Sequence, residues 1–212
     1  SAANHADLAT LFSEAAESSA RKWRDFAHAD DAPSWMRPLA AALIVRECAG
    51  GVEAMDTGDC RVFAWDGEKE FVGGGDGRRE ESARAASLGV KAGASLDLTD
   101  EKRIAYLRRS REQAVRTRAA LGLEPPAHDA VRVRRLPIPR KSHLLMATDG
   151  FASLVDVYDA YSPGSLVEAA LNRGLAHLAL ELRDIESDDH SGDRFARWKR
   201  SDDATALLLR LD

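Results

Sequence analysis

The residues Leu144-Leu145-Met146-Ala147-Thr148-Asp149-Gly150 constrain this chain most, because an unbroken apolar run stops there at an Asp-Gly pair. A run this short, bounded by a turn signal, predicts a buried strand whose tip presents one carboxylate. Near the C-terminus lies a near mirror image, where Ser201-Asp202-Asp203-Ala204-Thr205 leads into Ala206-Leu207-Leu208-Leu209. If the two strands pair antiparallel, the end of the first lies beside the start of the second, and Asp149 and Asp202 converge. Converging carboxylates repel unless a cation or a proton lies between them. A metal site at this edge is therefore the first expectation.

The remaining chain reads as helices and antiparallel strands. Residues 4–28 carry Leu8, Leu11, Phe12, Ala15, Ala16, Trp23 and Phe26 in the rhythm of an amphipathic helix, closed by the turn residues 30–34. Residues 39–46 predict a strand, Ala49-Gly50-Gly51 a hairpin turn, and Val52 to Met55 the return. Turn chemistry follows at residues 56–61, then a strand at Val62-Phe63-Ala64-Trp65, a tight turn at Asp66-Gly67, and a strand at Glu70-Phe71-Val72. The glycines at 73, 74, 75 and 77 lack the spacing of a phosphate-binding loop and read as a flexible surface loop.

A helix is expected over about 100–121, with Thr99 as its N-cap and Arg103, Arg108, Arg109, Arg111, Arg116 and Arg118 on its polar face. A basic strand follows, with Val131 and Val133 in and Arg132 and Arg134 out. This arginine surplus has two readings: a solvated face with salt bridges to acidic residues, or a surface for a phosphorylated or acidic partner. Beyond the Asp-Gly tip, 151–158 predicts a short helix. A capping box at Ser165 and Glu168 starts a longer one to about 185, and 186–199 is polar and irregular before the last strand. The order predicts an α+β fold with antiparallel sheet, in a single domain over 1–212.

Composition bears on the partner. The 212 residues carry a net charge of −5, which argues against nucleic acid. Without a membrane-length apolar run or a signal-peptide pattern, and with Cys48 and Cys60 reading as small apolar side chains, no membrane association and a cytoplasmic setting are expected. The six histidines are scattered, so a hard ion bound by carboxylates is expected in preference to zinc.

Three motifs fall in one order: Gly58-Asp59-Cys60-Arg61, Thr148-Asp149-Gly150 and Asp202-Asp203-Ala204-Thr205. With their spacing and their strands, they resemble the metal-dependent protein phosphatase family, the type 2C or PPM serine/threonine phosphatases, in a bacterial-type member. The resemblance implies two packed antiparallel β-sheets flanked by helices, an α-β-β-α sandwich. It also implies two Mg²⁺ or Mn²⁺ ions, with a weaker third. By the match of motifs, Asp149 and Asp202 are the expected metal ligands, Asp59 belongs with the third ion, and Asp203 and Gly150 lie beside them. The expected activity is hydrolysis of phosphoserine or phosphothreonine in a phosphorylated protein by a metal-activated water.

The family's D-G-H-G-G segment, which supplies an aspartate bridging both metals, has no counterpart before the first helix. Since the first residue is Ser rather than Met, an N-terminal part is expected to be missing. The alternative is a pseudophosphatase, the same fold kept as a binding or regulatory module.

Overall fold

The computed structural model describes residues 8–27, 32–75, 77–87 and 101–212. The expected helix starts at 4–7 and 99–100, the expected end of the first helix at 28, and residues 30 and 31 of the turn expected over 30–34 lie outside the described residues. Helix α1 (Leu8–Ala27) is followed by strands β1 (Ala42–Cys48), β2 (Gly51–Thr57), β3 (Arg61–Trp65) and β4 (Glu70–Gly74). Helices α2 (Gly77–Ser87) and α3 (Glu101–Thr117) precede β5 (Arg132–Leu136) and β6 (His143–Ala147). Helices α4 (Asp149–Asp156), α5 (Pro163–Arg173) and α6 (Leu175–Asp188) lead to the last strand, β7 (Ala206–Arg210). The fold is α+β with two antiparallel sheets, one in the order β1-β2-β5 and one in the order β4-β3-β6-β7.

The chain divides into two compact units. The first comprises Ser1–Ile44, Met55–Gly58 and Leu98–Arg134. In it, Leu8, Phe12 and Ala16 of α1 repeat every four residues and bury one stripe against Met55, with Ala42, Ile44, Leu121 and Val131 alongside. The stripe is narrower than the sequence suggests, since Leu11 is 46% exposed and Ala15 is exposed too.

Two expectations in this unit are corrected. Residues 56 and 57 do not turn: β2 runs through them and both are buried. Asp56 is tolerable there because Arg132 donates to its Oδ2 from Nε at 2.7 Å and from Nη2, while Nη2 also reaches the Gly58 carbonyl. Arg132 is thereby drawn inward and Val133 is left 48% exposed, against the expected alternation, while Val131 packs on the core and Arg134 is exposed as expected. A buried carboxylate outweighed the apolar pattern, because an unpaired charge costs more than an exposed valine.

The second unit comprises Val45–Ala54, Asp59–Asp97 and Arg135–Asp212. Here β3 is central, pairing Val62 with both Gly73 and Met146, and Phe63 with both Val72 and Leu145. Phe63 and Leu145 face α4, α5 and α6 and form one core with Phe151, Leu154, Leu166, Val167, Leu178 and Leu182. Each such side chain contributes roughly 1.5–3 kcal/mol by leaving water. Strand β7 is an edge, not the buried strand its apolar run suggests: Leu207 is 52% and Leu209 38% exposed, and Leu208 packs on the core.

The long helix expected over 165–185 is two helices, broken where Gly174 takes φ +85°. The capping box sits three residues earlier than expected: Ser162 accepts from Ser165 N–H at 3.2 Å, and Ser162 N–H donates to Ser165 Oγ at 2.8 Å. Nor are the glycines at 73–75 a surface loop. Gly73 and Gly74 lie in β4, buried, and Gly74 has φ +95° with its α-carbon so close to the preceding strand that a Cβ would stand 2.1 Å from the Cys60 carbonyl oxygen. Replacing Gly74 by Ala is expected to cost about 2–4 kcal/mol, from backbone strain and forced displacement of Cys60. Urea unfolding checks this, and a loss below about 0.5 kcal/mol would contradict it.

Candidate functional site

At one end of the four-stranded sheet, Ala147, the last residue of β6, stands opposite Arg61 at the start of β3 and Ala206 at the start of β7. This pairing sets Asp59, two residues before β3, Asp149, two after β6, and Asp202, four before β7, at the same sheet end. Strands lie about 4.8 Å apart, so the starts of β3 and β7, which flank β6, are roughly 10 Å from each other.

Arg61 anchors this end. Its buried guanidinium meets Asp156, at the end of α4, with Nε 3.0 Å from Oδ2 and Nη2 3.1 Å from Oδ1, and Nη1 donates to the Gly75 carbonyl at 3.0 Å. A two-pronged contact fixes orientation as well as charge. It holds the 59–61 turn, the end of β4 and helix α4 together. Gly75 N–H donates back to the Cys60 carbonyl at 3.2 Å.

Asp149 does not close a turn. It is the first helical residue of α4, half-buried, with Thr148 as the N-cap, where the exposed N–H groups of a helix start favour a carboxylate. Gly150 is required by close packing: a Cβ there would stand 2.2 Å from the Asp203 carbonyl oxygen and 3.3 Å from Asp202 Cβ. The 202–205 segment is thus seated directly on the first turn of α4. Thr148 secures it by donating N–H to the Thr205 carbonyl at 3.0 Å and accepting Thr205 N–H on its hydroxyl at 3.0 Å. Asp203 is exposed, and it meets this packing through its main chain.

The half-buried carboxylate of Asp202 is held by a cation from within the chain. Lys199 Nζ donates to Oδ1 at 2.9 Å and to Oδ2 at 3.0 Å, and Asp203 N–H donates to Oδ1 at 3.0 Å. Arg183 Nη2 donates to the Asp202 carbonyl at 2.7 Å, while its Nη1 donates to Glu186 at 2.6 Å. Lys199 lies in the polar segment 186–199, which has no period to mark it in the sequence. Its one signal is position, three residues before Asp202.

That segment is ordered by another buried pair. Asp189 accepts from Arg197 Nη1 at 2.6 Å and from the N–H groups of Arg194 and Phe195 at 3.0 and 3.1 Å. Burial alone would raise the Asp189 carboxyl, but these donors outweigh it and hold the pKa below the ordinary 3.8.

Does the site fit two divalent ions? Among the described residues, no group of three or more His, Cys, Asp or Glu side chains is placed to hold a metal ion. Asp202 spends both oxygens on Lys199. The residues described therefore do not fit a two-ion centre on their own. Among the described residues no helix is long and apolar enough to cross a membrane.

No family model and no curated protein matches the chain. Among solved structures it is similar to PppA, a key regulatory component of T6SS in Pseudomonas aeruginosa, with 16% identity over 96% of this chain and 67% of that chain, at a TM-score of 0.48. A likeness at that level transfers neither family nor activity.

Because Asp189 has a depressed pKa in the folded state, its stabilisation is complete above the unfolded value and is lost as pH falls through the folded one. Replacing Asp189 by Asn is expected to cost about 3 kcal/mol at neutral pH, and the gap to the unsubstituted protein should shrink below about pH 4. Urea titrations at the two pH values test this; a gap that does not change with pH would contradict it.

Proposed function

We propose that this chain is a phosphatase-like binding or regulatory module, one that does not hydrolyse phosphate esters with the residues described. The observation that carries the reading is Lys199 on both oxygens of Asp202. Converging carboxylates need a positive charge, and here a lysine from the same loop supplies it. A divalent ion at Asp202 would have to displace Lys199 and find further oxygen ligands to complete the usual six or more. The three motifs carry the likeness to a phosphatase, and the strands they flank pair side by side in the four-stranded sheet.

The second reading is Mg²⁺- or Mn²⁺-dependent hydrolysis of phosphoserine or phosphothreonine in a protein. The placement of Asp59, Asp149 and Asp202 at that one end favours it. It needs ligands beyond those described, and Lys199, half-exposed, would have to swing away.

The test is phosphate release from a phosphothreonine peptide by the full-length protein, with and without Mn²⁺. The first reading predicts no Mn²⁺-dependent release. It also predicts that Asp202→Asn costs at most about 1 kcal/mol of stability, the worth of a pair with one exposed member. Mn²⁺-dependent release abolished by Asp149→Asn or Asp202→Asn would overturn it in favour of the hydrolase.

A further inference from the structure

Helix α3 gives the first unit a cationic face inside an acidic protein. Its 17 residues include six Lys or Arg and two Glu, in a chain of net charge −5. Surface arginines usually gain little from surface ion pairs, but they normally have a carboxylate nearby. Among the described residues, Arg108, Arg109, Arg111 and Arg116 have no ion-pair partner within 4 Å. The contacts they do make are with neutral groups. Arg111 donates to the carbonyls of Trp35 at 2.8 Å and Arg37 at 2.9 Å, Arg108 stacks 4.4 Å above the Trp35 ring, and Arg116 touches Gln113 Oε1. Helix and 34–37 segment are thereby joined, and among the described residues Glu112 is the one carboxylate among the four arginines of this face, leaving it net positive.

Beside this joint is a cleft of about 570 Å³ lined by Ser34, Arg109, Glu112, Gln113, Val115 and Arg116. Arg109 and Arg116 are both exposed and seven residues apart, two helical turns or roughly 10 Å along one face. One phosphate is met best by guanidiniums that converge, whereas these stand in a row. In a polyproline II peptide, with three residues per turn and about 3.1 Å rise, carboxylates at positions i and i+3 share one face about 9 Å apart. The arginine fork matches a carboxylate bidentately.

We infer that this cleft docks an acidic peptide segment of a partner protein, with Asp or Glu three residues apart contacting Arg109 and Arg116. The inference does not depend on the state of Asp202.

The experiment uses the full-length protein and a fluorescein-labelled, proline-rich peptide in the polyproline II conformation, with Glu at two positions three apart in a neutral background. The comparison ligands are its Gln counterpart, a neutral peptide with one phosphoserine, and a short single-stranded RNA. Binding by fluorescence anisotropy at low salt should favour the two-Glu peptide, weaken as salt rises, and fall at least tenfold in Arg109→Glu/Arg116→Glu. Because both arginines are exposed, circular dichroism should show the fold unchanged. Arg135→Glu/Arg140→Glu, exposed residues outside the cleft with the same change of net charge, should bind as the unsubstituted protein does. Four results would each overturn the inference: no binding, equal loss in both double variants, equal affinity for the phosphoserine peptide, or tighter binding of RNA.

Discussion

The contact on which the second unit depends is the buried pair of Arg61 and Asp156. Arg61 is the fourth residue of the Gly-Asp-Cys-Arg turn, and Asp156 ends α4, so the pair joins the start of the central strand to the far end of the helix that follows β6. The same guanidinium takes the Gly75 carbonyl. Burying two charges is costly, and the geometry offsets that cost through the close ion pair and the hydrogen bonds from Nη2 to Asp156 Oδ1 and from Nη1 to the Gly75 carbonyl. Removing one partner would leave the other charged and dry, at roughly 3–5 kcal/mol. The glycines of β4 belong to the same arrangement: Gly74 has no Cβ because the Cys60 carbonyl occupies that space.

With that end of the sheet fixed, the remaining electrostatic question is what balances its aspartates. Asp149 gains from the start of α4, where helix N–H groups point outward. Asp202 gains from Lys199 and, through its carbonyl, from Arg183. The loop carrying Lys199 is itself held by the Asp189–Arg197 pair, so the ammonium is delivered by an ordered segment. This supports the reading of a phosphatase-like module whose edge is compensated from within the chain.

What was legible in the sequence was what depends on local period. The stripe Leu8, Phe12, Ala16 on α1, the β3 and β6 runs, and the antiparallel pairing of β6 with β7 that sets the Thr148–Asp149 tip beside the start of the last strand all follow from spacing. What was not legible depends on groups far apart in the chain. Arg132 turns inward because Asp56, 76 residues away, is buried in β2. The glycines 73–75 read as a loop until Cys60 is set against them. The apolar end of the chain reads as core, yet β7 is an edge strand because β6 already has β3 on its other side. The capping box was misplaced by three residues because two serines, Ser162 and Ser165, share it, and no acidic residue marks it.

The arginines of α3 show the same division. Their face is evident from sequence, but the groups three of them contact, the carbonyls of Trp35 and Arg37, the Trp35 ring and Gln113, are seen only in the structure. Whether Asp202 belongs to Lys199 or to a metal is the claim on which the functional reading turns. A crystal structure of the full-length protein grown in excess Mn²⁺ tests it most directly. The account predicts Lys199 Nζ within hydrogen-bond distance of both Asp202 oxygens and no ion between Asp149 and Asp202; manganese bound there with Lys199 displaced would contradict it.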